Sequence, residues 1–176
     1  VRQYTISAAP NNTAYGTVTG TGIYNCGSTA TVTANAATNY IFVGWYENNA
    51  LVTTSTTYIF TVNSNRTLEA RFNAILYNIT LTATPISAGL PTATPNPATA
   101  GQIITLTADP STCYNLDNWT SEDVIVDNNS FTMPAKDVTV TANYIPKQYI
   151  ITATNTLYGS IVGTGTYTCG STVTLI

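Results

Sequence analysis

Three cysteines, Cys26, Cys113 and Cys169, are the residues best equipped for chemistry in this 176-residue chain, and no histidine accompanies them. Without histidine the commonest general base and metal ligand is missing. A Ser–Lys or paired-carboxylate mechanism would have to replace it, yet Lys136 and Lys147 both fall in turn or linker contexts. The expectation is therefore no catalytic residues and no cofactor. The same two lysines argue against an intramolecular isopeptide bond, which needs a buried lysine beside Asn or Asp with an acidic neighbour.

Two other groups invite a ligand. Asp117, Glu122, Asp123 and Asp127 gather around the loop after Trp119, and Ca²⁺ takes about six to eight oxygens. Their spacing fits no Ca²⁺ loop, and the corresponding stretch earlier in the chain keeps only Glu47, so a solvated loop is expected rather than a metal site. Trp45 and Trp119 each follow a tyrosine, Tyr40 and Tyr114, by five residues. An aromatic platform for sugar stacking would use such residues. Aromatics repeated at one point of every module more often fill the same hole in each core. The expected core aromatics are Tyr40, Trp45, Phe60 and Phe72, then Tyr114, Trp119, Phe131 and Tyr144. Tyr15, Tyr24, Tyr158 and Tyr167 are left as candidates for an exposed contact surface.

The elements that must position these side chains are strands. Apolar residues recur with period two: Tyr4, Ile6, Ala8; Ala30, Val32, Ala34; Tyr58, Phe60, Val62; Leu68, Ala70, Phe72. That is the pattern of half-buried strands, and no window carries a helical stripe. Threonine and tyrosine suit a pleated surface, while asparagine and glycine suit tight turns.

The strands come in repeats. Tyr4-Thr-Ile returns as Tyr77-Asn-Ile and Tyr149-Ile-Ile, and Tyr40 through Trp45 returns as Tyr114 through Trp119. Asn65-Arg-Thr-Leu-Glu-Ala-Arg-Phe72 matches Asp137-Val-Thr-Val-Thr-Ala-Asn-Tyr144, with offsets of about 72 to 74 residues throughout. A second period overlies the first. Tyr15-Gly-Thr-Val-Thr-Gly-Thr-Gly-Ile-Tyr-Asn-Cys-Gly-Ser-Thr29 is nearly repeated as Tyr158-Gly-Ser-Ile-Val-Gly-Thr-Gly-Thr-Tyr-Thr-Cys-Gly-Ser-Thr172, about 143 residues on. The middle copy instead carries Pro91, Pro95 and Pro97, whose missing N–H suits an edge or loop. The division expected is a type A repeat over 1–74, a type B repeat over 75–146 and a partial type A repeat over 147–176. The absent initiator methionine suggests a processed or excised segment, and the partial repeat suggests the start of a longer array.

This register gives the cysteines a reading. Cys26 and Cys169 are equivalent, and Cys113 belongs to type B. Cys26 could bond Cys113 across the first A–B junction, with Cys169 bonding a following repeat or chain. Alternatively all three are unpaired small hydrophobes. A bond would indicate an oxidising compartment.

Composition narrows the partners. Charged residues are 7% of the chain, net charge is −3, and five basic residues spread from Arg2 to Lys147 form no patch for nucleic acid. No apolar run reaches the length of a membrane span, so no membrane insertion is expected.

Several motifs together resemble the divergent internalin-type B-repeat family. They are Tyr-x-Ile near the start, Gly-Thr-Val, Tyr-x-x-Gly-x-x-x-x-Leu/Val-Thr-Ala, Tyr-x-Phe-x-Gly-Trp and the closing Arg-Thr-Leu-x-Ala-x-Phe. Phe131-Thr-Met-Pro-Ala-Lys-Asp-Val-Thr-Val-Thr-Ala-Asn-Tyr144 is especially similar. The resemblance implies all-β, β-grasp-like repeat modules in tandem on bacterial surface or secreted proteins, with no shared catalytic residues. Little or no helix and an elongated arrangement are expected. So is a structural role as stalk, spacer or fibre-forming segment, with an adhesin module or filament subunit as alternatives. Expected partners are neighbouring repeats of the same or an identical chain, or else a glycan or host surface protein.

Overall fold

The computed structural model describes residues 1–154 and 159–176, and these form strands and turns with no helix. The chain divides into two compact units, Val1–Leu76 and Tyr77–Ile176.

The first unit contains β1 (Gln3–Pro10), β2 (Gly16–Thr19), β3 (Gly22–Asn25), β4 (Thr29–Ala36), β5 (Tyr40–Glu47), β6 (Ala50–Thr53), β7 (Thr57–Thr61) and β8 (Arg66–Ala74). They build a five-stranded sheet ordered β3-β1-β8-β5-β6 and a three-stranded sheet ordered β2-β4-β7. β1 and β8 pair in parallel, Ile6 opposite Arg66 through Pro10 opposite Ala70. A parallel pair cannot be joined by a hairpin. The intervening strands make that crossover and at the same time supply the second sheet.

Alternation decides which side chains lie between the sheets. On β4, Ala30 and Val32 are completely buried and Ala34 nearly so, while Thr29 and Thr31 between them are exposed. Ile6, Trp45, Val62, Leu68, Ala70 and Phe72 complete this core. Each large side chain buried this way contributes on the order of 1.5–3 kcal/mol against exposure. The indole N–H of Trp45 donates to the Thr56 carbonyl at 3.3 Å, which satisfies the one polar atom Trp45 brings inside.

After the short β9 (Leu76–Tyr77), the second unit contains β10 (Ile79–Thr84), β11 (Thr92–Thr94), β12 (Ala98–Thr99), β13 (Ile103–Thr107), β14 (Tyr114–Thr120), β15 (Ser130–Thr132), β16 (Val138–Pro146), β17 (Gln148–Ile151) and β18 (Gly165–Thr168). Sheet β10-β16-β14 repeats the centre of the first unit's larger sheet, again with its first and last strands parallel. Sheet β11-β13-β15 repeats β2-β4-β7. A side-chain clamp is repeated too. Asn65 Oδ1 accepts from the Thr5 N–H at 2.8 Å, and Asp137 Oδ1 accepts from the Asn78 N–H at 2.7 Å.

The proline-bearing segment changes the edge. In the first unit the backbone of β3 lies along β1, with Gly22 opposite Ile6. In the second, the Asn96 side chain serves Ile79 instead, accepting from its N–H at 3.0 Å and donating to its carbonyl at 2.8 Å. A single amide thereby replaces one step of a strand, which suits a stretch where prolines remove backbone donors.

The core of this unit is split. One cluster holds Ile79, Ala98, Ile104, Leu106, Phe131, Met133, Val138 and Val140, and a smaller one holds Ala88, Ala142 and Tyr144. Trp119 packs against both without being fully buried. β17 and β18 form a hairpin within the same compact unit.

Candidate functional site, a cysteine junction

The covalent chemistry of the described residues lies where the hairpin β17–β18 meets the rest of the second unit. β14 runs antiparallel to β16 with Tyr114 opposite Pro146, which places Cys113, one residue before β14, beside Lys147. β17 leaves β16 almost without interruption and pairs with β18, Gln148 opposite Thr168, which places Cys169 on the other side of Lys147. Backbone hydrogen bonds fix both neighbours: the Lys147 N–H donates to the Cys113 carbonyl, and the Cys169 N–H donates to the Lys147 carbonyl, each at 2.8 Å. Cys113 and Cys169 are bonded, with Cα atoms 5.3 Å apart, within the range a disulfide needs. The Lys147 ammonium turns to the Thr112 carbonyl at 2.8 Å.

The expected pairing of Cys26 with Cys113 is thereby corrected. Cys113 is joined to Cys169, and Cys26 is an exposed free thiol. The reason is strand order. β17 continues directly from β16, and its hairpin partner β18 brings Cys169 back to that crossing point. Cys169 therefore meets the strands that precede it in the chain. At the end of the first unit the same backbone bond forms, Ile75 N–H to the Asn39 carbonyl at 2.8 Å. There an asparagine stands in the place of Cys113, so no disulfide is available.

The aromatic residues divide by depth. Trp45 and Phe72 are fully buried, and Phe131 and Tyr144 are 5% exposed. Phe60 is half-buried against the first core, where it stacks on Tyr58 at 4.8 Å beneath the Arg66 guanidinium. Tyr114 and Trp119 are half-buried in the second unit, and Trp119 Nε1 donates to Asn129 Oδ1 at 2.8 Å. Tyr40 is a correction to the expected core set. It is half-buried outside the core cluster and stacks on Tyr15 at 4.4 Å. As the first residue of β5, opposite Ala74, it sits at the end of its sheet, where its ring meets Tyr15 rather than the buried cluster.

Of the tyrosines proposed for contact, Tyr158 lies outside the described residues. Tyr24 and Tyr167 are half-buried and donate to the carbonyls of Gly20 and Gly163, each at 2.8 Å. The acidic group disperses. Asp123 takes the Lys136 ammonium at 2.6 Å and the Thr139 N–H at 2.9 Å. These two contacts, the lysine first, lower its pKa. Among the described residues no cluster of three metal-ligating side chains forms.

Sequence patterning gave no sign of one further assembly. The Arg66 guanidinium meets Glu47 through Nη2 at 2.7 Å, donates from Nη1 to the Tyr58 hydroxyl at 3.0 Å and lies over the Phe60 ring at 4.5 Å. The hydrogen bond from Arg66 holds the Glu47 carboxyl below its ordinary range, against the opposing effect of burial. Glu47 and Arg66 are 19 residues apart on neighbouring strands of one sheet, so only the β5–β8 register could have revealed them.

Tandem all-β modules, the second closed by a disulfide, define a class, that of repeat-built proteins. A family model described as a divergent InlB B-repeat domain matches residues 4–76 and again 79–148, and the chain belongs to that family. Its repeats occur in bacterial surface proteins, and it is not a known enzyme family. Comparison with curated proteins and with solved structures gives no match.

Proposed function

We propose that the chain is a structural segment, a stalk or spacer, of a bacterial extracellular surface protein. Its work is geometric: it holds other parts of the protein at a distance while resisting extension. The observation that carries this reading is the bracket on Lys147, a backbone position held by Cys113 on one side and Cys169 on the other, with the two cysteines bonded. A bond across a repeat junction fixes that junction without creating a binding surface. Disulfides persist in oxidising surroundings, which supports placement outside the cytoplasm.

Single-molecule pulling on the intact chain tests the idea. The cysteines are 56 residues apart, so the oxidised chain should withhold that length from extension. Reduction should lengthen the fully stretched molecule by about 200 Å, at roughly 3.5 Å per residue. Equal extensions before and after reduction would remove the support for a load-bearing junction. Saturable binding of the oxidised chain to a glycan or host protein would replace the spacer reading with an adhesive one.

A further inference from the structure

Cys26 is exposed and free, yet its surroundings duplicate those of a cysteine that is bonded. The hairpin β1–β3 pairs Gln3 with Asn25, Tyr4 with Tyr24, Thr5 with Ile23 and Ile6 with Gly22. The hairpin β17–β18 pairs Gln148 with Thr168, Tyr149 with Tyr167, Ile150 with Thr166 and Ile151 with Gly165, position for position. The backbone bond from Cys26 N–H to the Arg2 carbonyl, at 2.8 Å, reproduces that from Cys169 N–H to Lys147.

The turns agree as closely. Gly20 and Gly163 have φ of 89° and 101°, Gly22 and Gly165 have 155° and 153°, and Gly27 and Gly170 have 81° and 85°. A Cβ at Gly20 would collide with the Thr31 carbonyl, and one at Gly163 with the equivalent Thr174 carbonyl. The bond that closes the second hairpin against its neighbour, Lys147 N–H to the Cys113 carbonyl, has no counterpart at Arg2 among the described residues. Cys26 thus has the hairpin, the register and the backbone bond of Cys169. It lacks only what Cys113 and its carbonyl supply.

We infer that Cys26 is a disulfide attachment site for the cysteine of a type B repeat, set against Arg2 as residues 77–146 are set against Lys147. The strand crossing at Lys147 favours a donor that runs directly into Arg2 on its N-terminal side. The chemistry is an ordinary thiol oxidation. The two thiols give up two protons and two electrons and form one S–S bond, while a small-molecule disulfide such as oxidised glutathione accepts them and becomes two thiols. The site needs only the junction geometry and does not depend on whether the array bears load or binds a ligand.

The test extends the 176-residue chain at its N-terminus with a second copy of residues 75–145, so that Val1 takes the place of Pro146 and Arg2 that of Lys147, and oxidises it in a glutathione buffer. Peptide mapping without reduction should show the added cysteine joined to Cys26 and Cys113 still joined to Cys169. Alkylation should find no free thiol, against one in the unextended chain and one in an extended chain whose added cysteine is serine. Closure of Cys113–Cys169 in the same molecules reports that the chain has folded. Cys26 remaining alkylated while that bond is closed would overturn the inference, as would a Cys26–Cys26 dimer linking two molecules. A chimera avoids any added repeat: residues 2–26 replace 147–169, and the grafted cysteine should close on Cys113. A free Cys113 in that chimera would also overturn the assignment.

Discussion

The two units share a plan but differ in how completely each carries it out. In the first, β3 and β6 widen the larger sheet to five strands, and a single core forms around a fully buried Trp45. In the second, the corresponding sheet has three strands, the core is divided, and Trp119 is half-buried between the parts. A disulfide and a hairpin are added to the unit whose own sheets are smaller. The comparison suggests that covalent closure compensates where strand pairing and burial fall short, as it does in many small domains.

The tryptophans give the largest expected contrast. Trp45→Ala should destabilise the first unit by about 3–5 kcal/mol, the range for large aromatic deletions from a core. Trp119→Ala should cost the second unit clearly less. Denaturant melts of the two variants in the oxidised chain measure this, and equal losses would break the comparison. Next comes the crosslink. Cys113→Ser with Cys169→Ser should destabilise the second unit by about 2–4 kcal/mol, a typical range for a native disulfide. Hydrogen exchange should show faster opening across β10, β14 and β16 and no change in β1 through β8. An equal loss in both units would mean the bond does not belong to the second alone.

A pH series sharpens the same contrast. Glu47 has a folded pKa below its unfolded value, so the unfolded chain binds the proton more readily in the acidic range. Its contribution is therefore present above an unfolded carboxylate pKa of about 4.3 and lost as pH falls through the lower folded value. The two side chains are 26% and 17% exposed, so the loss should be modest, about 1 kcal/mol. It should disappear in Glu47→Gln and leave the second unit untouched. The smallest effect concerns Tyr144, whose hydroxyl donates to the Ala108 carbonyl. Tyr144→Phe should cost the second unit about 0.5–1.5 kcal/mol, read from its denaturation midpoint.

Much of the fold was legible because period two is a direct consequence of strand geometry. Period-two spacing puts Ala30, Val32 and Ala34 on one face of a strand, and that face is buried. Repetition in the sequence likewise located equivalent strands before any pairing was known. Registers between distant strands left no such trace. Tyr40 and Trp45 share one strand, but Tyr40 begins it and stacks on Tyr15, whereas Trp45 lies in the buried cluster. The cysteines posed the same problem. Repeat spacing makes Cys26 and Cys169 equivalent, yet carries no sign of whether Cys169 faces the strands before it or those after. The order β10-β16-β14, together with the continuation of β16 into β17, decides that direction.

The bracket around Lys147 has a further consequence for how the chain tolerates a proteolytic cut. A cut at a single peptide bond between Cys113 and Cys169, a separation of 56 residues, severs the backbone but leaves the fragments joined through sulfur. A cut near Ile75, where Asn39 stands in place of a cysteine, has no such tie to survive it. Damage tolerance along the chain is therefore uneven, and the order of the repeats determines where a single nick is harmless.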